Sequence, residues 1–318
     1  MPLEHIYITR HANRMNWTVD HTTGQYYAQF PTPTGIAVDP VLTASGEKQA
    51  VELGEYLNSD AFPGLRPFRI YCSAFYRCLQ TIEPGVKALK ERQAREKLPG
   101  VDLDVRLERG LGEWFGASSF FKHPSPASNE ELQELFPEIL PAKGSNPSRP
   151  HEVFPSSSGE SISQLHDRVA IALQSIIDEV DAEIAEFEAA HPEERKPRSI
   201  LICSHAAPII GMCRALTGDM PSDTSKEDFI PYVTCMFEFK RRQGEARSKV
   251  AETDKIVSER KVPDWRNGKG VGGGWDCIAN ADTSFLSKGA ERGWHFSGEE
   301  DFLSMPPPQD ISDSKTKL

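Results

Sequence analysis

The stretch SILICSHAAPI, residues 199–209, joins two different hydrophobic patterns. Ile200, Leu201, Ile202 and Cys203 form a continuous apolar run, the pattern of a strand buried on both faces of a parallel sheet. Polarity then breaks in with Ser204 and His205. A helix is expected from Pro208 to Leu216, ending near Gly218. A buried strand that feeds straight into a helix is half of a βαβ unit. The stretch therefore predicts an α/β domain with a mostly parallel sheet, and it leaves a histidine at the carboxyl end of a strand.

The same grammar repeats upstream. HIYI (5–8) is a short β-rich run followed by Arg10 and His11, and FRIYCS (68–73) is a second one, followed by Tyr76 and Arg77. Helices are expected at ASGEKQAVELGEYL (44–57), with Ala50, Leu53 and Leu57 on one face, and at YRCLQTIEPGVKALKER (76–92). Pro84 should bend or restart the second of these. The clearest helix is 161–190, where Ile162, Leu165, Val169, Leu173, Ile176, Val180, Ile184 and Phe187 make a core-facing stripe. Ser157 and Glu160 have the spacing of a capping box before it. YVTCMFEF (232–239) reads as the last strand of the core.

Two segments stand outside this alternation. Residues 114–157 are rich in Pro, Ser and Asn around one short helical piece, NEELQELF, and a connection of that length suggests a lid. Residues 241–303 hold Trp265, Trp275 and Trp294, so this extension is expected to dock on a core domain spanning 1–240. Residues 304–318 read as a flexible polar tail.

Composition narrows the chemistry. The 36 basic and 47 acidic residues give a net charge of −11, which disfavours nucleic acid and anionic membranes as partners. The six cysteines show neither CxxC spacing nor the density of a disulfide scaffold, and the start carries no signal peptide. No apolar run approaches the roughly 20 residues of a membrane span. A soluble protein of the cytoplasm or nucleus is expected.

Against that acidic background, three strand ends gather positive charge. Arg10, His11 and Arg14 follow the first strand, Ser73 and Arg77 the second, and Ser204 and His205 the third. Ligands of open α/β sheets bind at these carboxyl ends. Guanidinium forks suit a dianionic phosphoryl group, which makes Arg10, Arg14, Arg77 and His205 candidate phosphate ligands. A neutral imidazole beside them can attack phosphorus, and His11 is the candidate nucleophile. His205 is the candidate for stabilising charge in the transition state. A leaving alkoxide needs a proton, and LERGLGEWFG (107–116) offers Glu108 and Glu113. Glu113, between Gly112 and Trp114 at the lid entrance, is the preferred acid. The remaining histidines have no companions at metal-ligand spacing and read as surface or helix-face residues; no metal site is expected.

The set RHANR, LTASGEKQA, SAFYRCLQT, ERGLGEW, GESISQLHDR and CSHAAPI resembles the histidine phosphatase superfamily, phosphoglycerate-mutase-like branch, over residues 4–240. The resemblance implies a three-layer α/β/α sandwich and a cofactor-independent phosphomonoesterase with a phosphohistidine on His11. It places Arg10, Arg14, Arg77 and His205 in the phosphate pocket and Glu113 as proton donor. FLSKGAERGWHF (285–296) extends the likeness to a fungal group of the family. That group comprises a phosphatase-like subunit of the RNA polymerase III initiation factor TFIIIC and its free-standing paralogues. The implied partners are a phosphorylated small molecule or phosphoprotein, or alternatively other TFIIIC subunits. The polar ending at 318 fits the free-standing form. Ala12 and Asn13 replace the family's usual Gly and Glu after the histidine, and a methyl group at Ala12 is expected to crowd the phosphate. The second basic set of the family's mutases has no counterpart, so hydrolysis is expected rather than transfer between carbons.

Overall fold

Strand β1 (Leu3–Arg10) lies inside a six-stranded sheet and pairs in parallel with β6 (Arg198–Ser204) on one side. The computed structural model describes residues 2–60, 62–143, 152–243, 252–257 and 259–298. Between these two strands in sequence come a hairpin of β2 (Trp17–Val19) and β3 (Tyr26–Ala28), helix α1 (Ala44–Asn58), β4 (Pro67–Cys72), α2 (Tyr76–Glu96), β5 (Val105–Leu107), α3 (Asn129–Leu135) and α4 (Ile162–Ala190). After β6 come α5 (Ala206–Thr217), β7 (Met236–Arg241), a hairpin of β8 (Glu252–Val257) and β9 (Arg260–Pro263), and β10 (Trp275–Asp282). The sheet order is β10-β7-β1-β6-β4-β5; β1, β6, β4 and β5 run parallel, β7 runs antiparallel to them, and β10, antiparallel to β7, runs in their direction again.

Strand periodicity sorts the apolar side chains onto two faces. Ile6, Ile8, Ile200, Ile202 and Tyr71 pack with α4 and α5, whereas Tyr7, Leu201, Cys203, Ile70 and Cys72 pack with α1 and α2. The result is an α/β/α sandwich, as the order of elements and the resemblance imply. α5 stops where Gly218 takes the left-handed conformation with φ 81°.

Three readings of the sequence are corrected. α2 runs unbroken from Tyr76 to Glu96 with Pro84 inside it. The next residue, Gly85, meets Gly54 of α1 so closely that a Cβ on Gly54 would lie 2.8 Å from its backbone nitrogen. α4 is capped by Ser161 and Gln164, four residues later than expected, because Glu160 is drawn into the interior by Arg168. Finally, β7 is not the last strand of the sheet. β10, from the segment beyond residue 240, pairs with it and becomes the edge.

That segment is also tied to the back of the domain. Trp265 and Trp275 are fully buried, and the buried carboxylate of Asp167 on α4 takes the ammonium of Lys255 and, at 2.9 Å, the guanidinium of Arg266. The expected flexible tail, 304–318, and residues 144–151 of the expected lid lie outside the described residues.

Candidate active site

The parallel strands β1, β4 and β6 end together, and the residues that follow them meet. Ser73 N–H donates to the carbonyl of Cys203 and His11 N–H to that of Ser204, so the three strand ends are stitched edge to edge beyond the regular ladder. His11 is buried and faces His205 with ring centroids 5.3 Å apart. Its Nδ1 is 2.8 Å from the carbonyl of Ala12 and must donate to it, which leaves the lone pair of Nε2 free. Burial, then the charges of Arg77, His205, Arg10 and Arg14, hold its pKa well below the usual 6.5. His11 is thus an uncharged imidazole at neutral pH.

Arg77, in the first turn of α2, is fully buried at the centre of the cluster. Its Nη1 donates to the carbonyl of Val38 (2.8 Å) and reaches Asp39 (3.4 Å). Its Nη2 donates to Glu113 Oε2 (3.1 Å) and to His205 Nδ1 (3.0 Å). Asp39 also caps α2, accepting from Tyr76 N–H at 2.9 Å. Burial drives Asp39 up to about 6, against the pull of Arg77.

These contacts fix the tautomer of His205. A guanidinium can only donate, so Nδ1 is the acceptor and Nε2–H donates to Ser73 Oγ, 2.8 Å away. Burial, then the charge of Arg77 against the opposing influence of Cys78, lowers His205 to about 4. This residue is therefore neutral at neutral pH.

Arg10 and Arg14 complete the cationic set. Arg10 Nη1 donates to the carbonyls of Pro231 (2.8 Å) and Arg292 (2.7 Å). Arg14 Nη1 donates to its neighbour Met15 (2.8 Å) and lies over Trp17 at 5.6 Å. Burial leads in lowering both, and Arg14 still stands at about 10, so it remains charged at neutral pH.

Glu113 and Glu108 separate clearly. Glu113 stands with Arg77 and His205, its second oxygen accepting from Trp114 N–H at 3.1 Å. Glu108 is buried and caps the turn Arg109–Leu111, accepting from Gly110 N–H at 2.9 Å. The loop that presents Glu113 is held by residues not foreseen as site residues. Arg168 on α4 donates to both oxygens of Glu160 (2.8 and 2.9 Å) and to the carbonyls of Gly110 (2.7 Å) and Gly112 (3.1 Å). The motif GESISQLHDR signals this clamp only once Glu160 is released from the capping role.

The methyl of Ala12 sits in a small buried apolar cluster with Leu42 and Ala50. The loop backbone is held by Ala12 N–H, which donates to Thr81 (2.9 Å), and by Asn13 N–H, which donates to Gln49 (3.0 Å). Of the histidines expected at the surface or on helix faces, His123 is buried in the segment after Glu113 and His166 on the inner face of α4. His123 Nε2 donates to Gly116 (2.7 Å) and Nδ1 accepts from Tyr26 (2.6 Å), which ties the segment after Glu113 to the β2–β3 hairpin.

His11, Glu113 and His205 offer ligand atoms within 4.8 Å of one another, close enough to consider a metal ion. Both nitrogens of His205 are already engaged, and the surrounding guanidiniums repel a dication. The donor set fits an oxyanion instead. Next to Glu113 lies a cavity of about 380 Å³, lined among others by Phe75, Phe115, Pro124, Phe154 and Pro155.

Sequence comparison matches the histidine phosphatase superfamily (branch 1) to residues 6–252, and the chain belongs to that family. It is 30% identical over 300 residues to the transcription factor tau 55 kDa subunit of Saccharomyces cerevisiae. That alignment takes in 93% of this chain and 59% of the yeast subunit, so the chain spans well under two thirds of its relative's length. Among solved structures, the fold is similar to the ecdysone phosphate phosphatase of Bombix mori in complex with tungstate, with a TM-score of 0.51 and 16% identity. That superposition covers 94% of this chain and 98% of the phosphatase. No helix among the described residues is long and apolar enough to cross a membrane.

Proposed function

We propose that the protein hydrolyses phosphomonoesters through a phosphohistidine on His11. The observation that carries this reading is the free Nε2 lone pair of a neutral, buried His11, surrounded by Arg77, Arg10, Arg14 and His205. Arg10, Arg14 and Arg77 hold the phosphoryl oxygens. The dianion takes over the donors of Arg77 that otherwise go to Glu113 and His205. Nε2 of His11 forms the P–N bond as the P–O bond breaks, and Glu113 gives its proton to the departing alkoxide. Water then attacks phosphorus while Glu113 accepts its proton, and the P–N bond breaks to return neutral His11 and inorganic phosphate. His205 stabilises the charge on the phosphoryl oxygens in both steps.

The apolar cavity beside Glu113 receives the leaving group, which favours a bulky alcohol carried by a small molecule or a phosphoprotein. No cofactor enters the scheme. Steady-state release of phosphate from aryl and alkyl phosphates tests the reading, with the expected result that both are hydrolysed and that His11→Ala abolishes turnover. A wild-type protein that binds vanadate but releases no phosphate overturns it.

A second reading rests on the likeness to the tau 55 kDa subunit across most of this chain. In it the domain works by protein contacts as part of TFIIIC, in the nucleus. Co-purification with the other TFIIIC subunits, measured beside phosphatase activity, separates the two.

A further inference from the structure

The segment Glu291-Arg292-Gly293-Trp294, beyond the region matched by the family, is built into the wall of the pocket residue by residue. Glu291 Oε2 accepts from Gln49 Nε2 (2.9 Å), and Gln49 Oε1 accepts from the N–H of Asn13, two residues after His11. The carbonyl of Arg292 accepts from Arg10 Nη1 at 2.7 Å. Gly293 is pressed against Ile230 and Tyr232, where a Cβ would lie 2.8 Å from each. Trp294 meets Trp114, the neighbour of Glu113, edge to face at 6.3 Å.

Arg292 is exposed and takes the left-handed conformation at φ 51°. Such a φ is uncommon for a residue with a side chain, and here the flanking contacts impose it. Its guanidinium has no hydrogen bond or ion pair among the described residues. It is close enough that its charge, after burial and other neighbours, helps to lower Arg10 and Arg14.

Charge balance says what such a cation is for. Arg77 is balanced by Asp39, and Glu113 enters the proposed reaction carrying the proton it gives to the leaving group. Arg10 and Arg14 have no carboxylate partner among the described residues, and together they match a phosphoryl dianion. Arg292 is one positive charge more than the phosphoryl group requires. We infer that Arg292 is a specificity-determining residue at the pocket rim, which selects phosphomonoesters bearing a second anionic group close to the phosphoester. This rests on the phosphatase reading and adds the charge class of the substrate.

The test compares a phosphotyrosyl peptide flanked by glutamates with the same peptide flanked by glutamines, reading the ratio of their kcat/KM values. In the wild type the glutamate peptide should be preferred. Arg292→Ala should reduce that preference roughly fivefold, the scale of an exposed ion pair. Arg292→Lys should restore most of it, and Arg292→Glu should invert it. An unchanged ratio in Arg292→Ala and Arg292→Glu, whether or not both rates fall, overturns the inference. Hydrolysis of p-nitrophenyl phosphate by the wild type reports separately on the phosphatase reading. Should that reading fail, fluorescence anisotropy of the two peptides, with Arg292 intact and replaced in a His11→Ala background, still decides the inference by the same ratio.

Discussion

Nη2 of Arg77 donates to Oε2 of Glu113 across 3.1 Å, joining the centre of the arginine and histidine cluster to the carboxyl beside the apolar cavity. One guanidinium thereby connects the helix start after β4, the lid entrance and, through His205, the helix start after β6. Each residue in this group serves the fold and, in the proposed reaction, the chemistry, and separate measurements distinguish the two.

Arg77→Ala should weaken vanadate binding by about 1.5–3 kcal/mol, the scale of a hydrogen bond to a charged partner. It also leaves Asp39 buried without its cation, for which a loss of stability of about 3–5 kcal/mol is expected. Calorimetric titration and denaturant unfolding of the same variant read the two effects. Binding should fall little with salt, because the pocket is enclosed and the protein's net charge of −11 has the opposite sign to the site.

Glu113→Gln keeps the hydrogen bond from Arg77 but removes the transferable proton. Alkyl phosphates, whose leaving groups are poor, should slow by about 10²–10⁴-fold and aryl phosphates far less. An equal loss on both would mean that Glu113 acts only through Arg77.

Glu160→Gln tests the clamp behind Glu113. Arg168 would lose its charged partner while keeping its bonds to the carbonyls of Gly110 and Gly112. Breaking one side of this buried pair should cost about 3–5 kcal/mol of stability. Turnover of alkyl phosphates should fall more than that of aryl phosphates, because the loop that positions Glu113 loosens.

Acidification should destabilise the fold through its buried histidines. His205 and His166 are each lowered to about 4, chiefly by burial, and His11 is lowered as well. Between pH 6.5 and about 4 the unfolded chain binds protons at these positions that the folded chain does not, so stability falls as pH falls. Asp39, raised to about 6, works in the opposite direction over part of this window but is a single group. Each histidine contributes up to about 1.4 kcal/mol per pH unit. Urea unfolding at pH 7 and pH 5 should show the loss, and a smaller one in His166→Gln.

The strand ends were readable because their chemistry is local. Arg10-His11, Ser73 and Ser204-His205 each follow an apolar run directly, and the parallel pairing of β1, β6 and β4 brings them together. The cap of α4 was ambiguous for the opposite reason. Ser157 with Glu160 and Ser161 with Gln164 have the same spacing, and the choice is made by Arg168, eight residues beyond Glu160 and buried. β10 has few strongly apolar residues because it is an edge strand, and its sequence carries little of the pattern that marked β6. The contact between Arg292 and Arg10 spans most of the chain and leaves no trace in local spacing.

The central claim is the covalent step on His11, and trapping it is the most direct measurement. Wild-type protein, quenched during turnover of a phosphorylated substrate, should carry one acid-labile, base-stable phosphate. Peptide mapping should place it on His11, and phosphorus NMR should show attachment at Nε2. His11→Ala should carry none. Undiminished turnover in His11→Ala, or a phosphate found on another residue, would contradict the account.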